Sequence, residues 1–164
     1  MRTIPMTRRG LQAAVPERLR PAIVEWFRAA RYADVAVPQV LREAGYSKLK
    51  PGHHGVERTV LVGPRVIIKT QGWRDRSPAW TRYRKSRVLC PTIQIALKDD
   101  THNGIVAQPK GRVLCRLGAR ARTAKVDRRA IICERFCENF WECGDTHSGN
   151  LALFPDGTVR QIDY

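Results

Sequence analysis

The sequence predicts an α+β protein: a small antiparallel sheet followed by a minimal helical part. Three observations point there. Two pairs of β-branched runs, within 57–70 and 92–108, are each joined by turn residues. Apolar residues recur at helical spacing from Pro21 to Ala30 and again between Asp127 and Cys143. A last apolar pair flanks the turn Pro155-Asp156-Gly157, in which each residue has a conformational reason to be there.

Taken in order, residues 1–16 are basic and broken by Pro5, Gly10 and Pro16, and read as a loose arm. Pro21 suits the first turn of a helix whose apolar side is Ile23, Trp26, Phe27 and Ala30. A shorter helix starts near Pro38, carries Val40 and Leu41, and stops at Gly45. Residues 45–55 read as a flexible loop. Glu57–Val62, a Gly63-Pro64 turn and Arg65–Thr70 then form a hairpin ending near Lys69. Ser77-Pro78 starts a basic helix reaching Val88. The second hairpin pairs Thr92–Leu97 with Ile105–Gln108, and Pro109 and Gly111 break it. Residues 110–126 read as a basic linker. Asp127 caps a long helix with Ile132, Phe136 and Phe140 on one face and Cys133 and Cys137 beside it. Gly144 stops it, and Leu151–Phe154 with Thr158–Ile162 make the final hairpin. This divides the chain into a basic arm with two helices (1–44), a sheet lobe with its hinge (45–111) and a helix-plus-hairpin lobe (112–164).

At 164 residues the chain is one domain or two small lobes sharing a cleft, and 43% hydrophobic content supports a packed core. The formal charge of +15 favours anionic partners: nucleic acid, nucleotides or acidic protein surfaces. It also serves solubility. From Glu134 onward the balance turns acidic, as around a divalent cation or as plain charge compensation. The cysteine count is odd; Cys133, Cys137 and Cys143 lack CxxC spacing and read as buried small hydrophobes in a reducing cytoplasm. No stretch approaches the ~20 apolar residues that span a bilayer, and no signal peptide is evident.

The chemistry concentrates at the end. Asp145 follows the helix stop, Asn150 opens the last hairpin and Asp163 closes it. A hairpin brings its ends together, so Asn150 and Asp163 can face one site. Their oxygens are hard ligands of the kind magnesium takes beside phosphate oxygens. Asp145 is then free to orient a hydroxyl, and phosphoryl transfer asks for little beyond positioning, metal charge and a lysine on the phosphates. Taken singly, each residue has a plainer reading: Asp145 a helix-end carboxylate, Asn150 a turn residue, Asp163 a surface acid, Lys69 a solvated strand-end lysine.

Asp145-Thr146-His147-Ser148-Gly149-Asn150 with Ile162-Asp163-Tyr164 resembles the D-x-H-x-x-N and I-D-[FY] pair of the protein-kinase-like superfamily. The nearest branches are the aminoglycoside and choline phosphotransferases, RIO-type kinases and short kinase-like proteins of bacteriophages. The resemblance implies a truncated kinase-like fold, a sheet N-lobe with a minimal helical C-lobe. It implies ATP and Mg2+ as cofactors. It gives Asp145 the role of catalytic base, Asn150 and Asp163 that of metal ligands, and His147 that of a structural brace. Val66-Ile67-Ile68-Lys69 resembles the strand of the nucleotide lysine. Gly52 and Gly55 sit where a phosphate-covering glycine loop belongs, and Ala107 and Gln108 resemble the adenine hinge. The activity implied is a kinase acting on protein hydroxyls, in the cytoplasm of a bacterial host if phage-borne. The alternative is a kinase-like pseudoenzyme that binds a host protein or nucleic acid through its basic face.

Two departures shape the expectation. The helix after Lys69 carries no glutamate to pair with it, so Asp75 or Glu57 substitutes or Lys69 goes unpaired. The sequence also ends one residue after Asp163, before any activation segment. Substrate would then dock on the N-terminal helices, on the 110–126 segment or on a second subunit of a homodimer.

Overall fold

In a computed structural model the β-branched runs assemble into one five-stranded antiparallel sheet, ordered β1-β2-β3-β5-β4. The structure describes residues 6–49, 59–70, 88–97, 104–141 (the backbone alone for 137–141) and 149–162. The strands are β1 (Ser47–Lys48), β2 (Val60–Val62), β3 (Val66–Thr70), β4 (Ile93–Ala96) and β5 (Ile105–Pro109). The chain forms two compact units, Met1–Thr81 with Pro91–Lys110, and Arg82–Cys90 with Gly111–Tyr164. The architecture is α+β with an antiparallel sheet, as the sequence predicts.

In the first unit, register sorts the side chains into two faces, because directly opposed residues share a face and neighbours along a strand alternate. Leu61, Ile68, Ala107 and Ile93 form one cross-strand row. All four belong to the core built with helices α1 (Arg8–Ala14), α2 (Arg20–Ala30) and α3 (Gln39–Glu43). Trp26 and Phe27 of α2 meet edge to face, with ring centroids 5.0 Å apart. The indole N–H of Trp26 donates to the Val35 carbonyl at 3.3 Å, so the buried ring keeps its polar atom satisfied.

Three expectations are corrected here. The first is the loose arm. Residues 8–14 are a helix, capped by Thr7, whose hydroxyl accepts the Gly10 N–H at 3.1 Å. Leu11 and Val15, one helical turn apart, are wholly buried against the core. Their apolar pair outweighs the Arg, Gly and Pro that surround it. The second is the loop from Gly45: Ser47 and Lys48 form β1 against Val62 and Leu61, behind a buried Tyr46. Gly45 itself ends α3 with φ +86°, a conformation that favours glycine. The third is small: β5 runs through Pro109, which lies opposite Val66. The glycine loop, the helix from Ser77 and the 98–103 turn lie outside the described residues.

In the second unit β6 (Arg112–Val113), β7 (Leu151–Leu153) and β8 (Val159–Gln161) form a three-stranded antiparallel sheet. Residues 88–90 line its far edge: Gln161 N–H donates to the Val88 carbonyl at 2.8 Å and Cys90 N–H to the Gln161 carbonyl at 2.9 Å. Helix α4 (Ala124–Trp141) packs on this sheet. The segment expected to be a linker is therefore ordered, with β6 and a 3-10 turn, Leu114–Arg116, that buries Leu114.

Helix α4 departs from expectation in two respects. It begins at Ala124, and the Thr123 hydroxyl accepts the Val126 N–H at 3.4 Å; Asp127 sits in the first turn, where a carboxylate suits the helix dipole. Its buried stripe is Val126, Ala130 and Cys133 with Phe136 alongside, whereas Ile132 is 57% exposed. The run Ile131-Ile132-Cys133 fits two helical stripes, and the small Ala130 selects the one that lets the helix approach the sheet. Cys133 is buried as expected; Cys90 is buried too, and Cys115 is exposed.

Candidate functional site

The face of the first sheet that lies away from the helices carries Lys69. The residues opposite it are Val60 on β2 and Val106 on β5, with Gln94 of β4 next in the row. Val60 and Val106 are buried yet stand outside the core shared with α1–α3. Ile67 and Gln108 form the adjacent row on the same face. Lys69 is thus a half-buried cation on a face it shares with the aliphatic Val60, Ile67 and Val106 and the amides of Gln94 and Gln108. It is held by a polar or electrostatic contact, so it does not go unpaired.

Ala107 and Gln108 lie within β5 rather than beyond it. Ala107 is opposite Ile68 on one side and Ile93 on the other, so sheet neighbours flank its main chain on both sides. Gln108 is 4% exposed, and its Nε2 donates to the Thr92 hydroxyl at 2.9 Å. A hinge needs main-chain groups that the ladder leaves over. The first residue past the strand, Lys110, already donates its N–H to the Arg65 carbonyl at 3.0 Å. Thr92 is the residue that sequence reasoning missed. Its tie to Gln108 depends on the β4–β5 register, which no spacing along the chain displays.

In the second unit the last hairpin closes as expected. Leu151 pairs with Gln161 and Leu153 with Val159, and one step beyond the strands Ile162 N–H donates to the Asn150 carbonyl at 2.8 Å. The turn is held by Phe154 N–H to Thr158 carbonyl and Gly157 N–H to Phe154 carbonyl, each 2.9 Å, with Gly157 at φ +76°. Asp156 accepts from Thr158 N–H at 2.9 Å and from its hydroxyl at 2.6 Å. Partial burial pushes the Asp156 carboxyl up, but the two bonds from Thr158 and the charges of Arg160 and Arg129 outweigh it and hold it below the ordinary carboxylate range.

The hairpin therefore brings Asn150 beside the residue that precedes Asp163. Asp145, His147 and Asp163, like Gly52 and Gly55, lie outside the described residues. Among the described residues no group of three or more His, Cys, Asp or Glu side chains gathers as a metal site. No described helix is long and apolar enough to cross a membrane.

No protein-family profile matches the chain, and no curated protein matches it. Among solved structures it is similar to the bifunctional kinase-methyltransferase WbdD, with a TM-score of 0.46 at 14% identity. The likeness covers 73% of this chain and 32% of that one, so the chain spans about a third of that protein's length.

Proposed function

We propose that this protein is an ATP- and magnesium-dependent phosphotransferase of kinase-like design that phosphorylates protein hydroxyls. The observation that supports it most is the pairing of Ile162 with Asn150, which sets the two ends of the final hairpin side by side. Asp163 follows Ile162 directly in the sequence, and the hard oxygen donors of an asparagine and an aspartate suit magnesium. Lys69, on the face of the first sheet turned away from α1–α3, is the second support.

In this reading Lys69 steadies the nucleotide phosphates, and Asn150 and Asp163 hold the metal. The metal supplies positive charge to the phosphate oxygens. Asp145 orients the acceptor hydroxyl and takes its proton. The hydroxyl oxygen forms a bond to the γ-phosphorus as the bond to the bridging β-γ oxygen breaks, and ADP leaves with that oxygen. Ala107 and Gln108 remain the adenine-holding strand in this reading, with the aliphatic Val60, Ile67 and Val106 beside them. The direct test is transfer from γ-labelled ATP with magnesium, using the purified chain alone and with bacterial cytoplasmic extract. Label should appear on protein with the wild type and fall at least a hundredfold with Asp145→Ala. Equal labelling by the two removes Asp145 from the mechanism, and no labelling by either overturns the activity.

A further inference from the structure

We propose that the exposed arginine surface formed by residues 112–135 of the second unit binds the phosphate backbone of duplex nucleic acid. This is independent of the phosphotransferase reading. Arg112, Arg116, Arg120, Lys125, Arg128 and Arg135 are all exposed, and none of the six is ion-paired among the described residues.

The fold gathers these cations. Arg122 donates through Nε to Asp127 at 2.6 Å and through Nη1 to the Leu114 carbonyl at 3.5 Å. One guanidinium thereby ties the 3-10 turn to the start of α4 and neutralises Asp127. The turn at 118–122 is closed by Ala121 N–H and Arg122 N–H donating to the Gly118 carbonyl, at 2.9 and 3.2 Å. Along α4, Arg128 and Arg135 stand on the side opposite the buried Val126, Ala130 and Cys133, and Lys125 is exposed on the flank near the helix start. At 1.5 Å per residue these three cations span about 15 Å, long enough to follow several phosphates.

Like charges this close repel one another, and cations near a helix N-terminus oppose the helix dipole. Stability therefore does not account for them, whereas a polyanion does. Five of the six are arginines, whose planar fork matches a phosphate. A lipid surface fits less well, because among the described residues the large apolar side chains that α4 exposes are Ile131 and Ile132, fewer than the continuous apolar face an interfacial helix inserts. A protein partner fits less well too, because such interfaces draw their energy from anchored aromatics, and among the described residues of this unit no aromatic side chain is exposed. The described residues of this unit likewise offer no exposed aromatic platform of the kind single strands stack on.

The test is fluorescence anisotropy of the full chain with a short labelled DNA duplex, a second DNA duplex of scrambled sequence and an RNA duplex, each titrated at several salt concentrations. Glutamate-rich peptide and anionic phosphatidylserine vesicles serve as competitors. The wild type should bind both DNA sequences alike, with log K falling linearly against log salt. The triple variant Arg116→Gln, Arg120→Gln, Arg128→Gln should lose tenfold or more at low salt and flatten the slope by about 2.7, at about 0.9 per lost phosphate contact. The matched variant Arg9→Gln, Arg18→Gln, Arg42→Gln removes the same charge from the first unit and should keep the wild-type slope. Binding of either duplex supports the proposal, and the DNA-to-RNA ratio identifies which backbone is preferred. Equal losses in the two triple variants, no duplex binding at low salt, or displacement by peptide or vesicles at lower charge concentration than duplex would each overturn it.

Discussion

The N–H of Ile162 donates to the carbonyl of Asn150 at 2.8 Å, the last rung of the closing hairpin. The rung fixes the main chain of Asn150 relative to Ile162. Ile162→Pro removes the donor and should cost about 1–3 kcal/mol in denaturant unfolding. Ile162→Val keeps the rung and should stay within about 1.5 kcal/mol of wild type. If the hairpin end holds the metal, the proline variant also loses magnesium-dependent nucleotide binding.

Helix α1 belongs to the core of the first unit, so its apolar residues should behave as core. Leu11→Ala should destabilise by about 2–5 kcal/mol in urea unfolding, as buried leucines do. A change under about 0.5 kcal/mol is what an unattached arm would give.

The buried tie between Gln108 and Thr92 predicts coupling. Gln108→Leu and Thr92→Val should each destabilise by about 1 kcal/mol or more, and the double variant by less than their sum. A coupling of about 0.5 kcal/mol or above in a double-mutant cycle is the expected result; strict additivity would detach the two side chains.

How far the sequence revealed this fold depended on whether local chemistry and final register agreed. Val60–Val62 and Val66–Thr70 were legible because β-branched residues flank Gly63-Pro64 with no competing period. The final hairpin was legible through Pro155-Asp156-Gly157, and with it the approach of Asn150 to Ile162. Helix α1 was hidden because Leu11 and Val15 are only two apolar residues among arginines, and only a sheet to pack on gives them weight. The face of α4 was misread because Ile131-Ile132-Cys133 admits two stripes, and packing distance rather than hydrophobicity chose between them. In the candidate site, Lys69 was legible as the end of a β-branched strand. That the Gln108 side chain is tied to Thr92 was not, because cross-strand neighbours are set by register.

Asp156 gives a pH dependence. Its carboxyl is held below its unfolded value, so the charged form stabilises the folded state. That contribution is fully present above the unfolded carboxylate range, near pH 4, and is lost as pH falls through the lower folded value. Asp156→Asn should therefore be less stable than wild type at neutral pH, with the gap narrowing as the pH drops below about 4. Thermal melts of both proteins across that range check it; a constant gap would mean that the carboxylate's charge is not what Thr158 and Arg160 recognise.

The phosphotransferase reading stands most directly on one measurement: the melting temperature of the full chain with and without ATP and magnesium together. Nucleotide at a hundred times its Kd stabilises the folded state by about 2.7 kcal/mol, a rise of several degrees. The account predicts that rise for the wild type, only with both components present, and its loss in Lys69→Ala and in Asp163→Ala. An unchanged melting temperature in the wild type, or a rise that survives both substitutions, would contradict it.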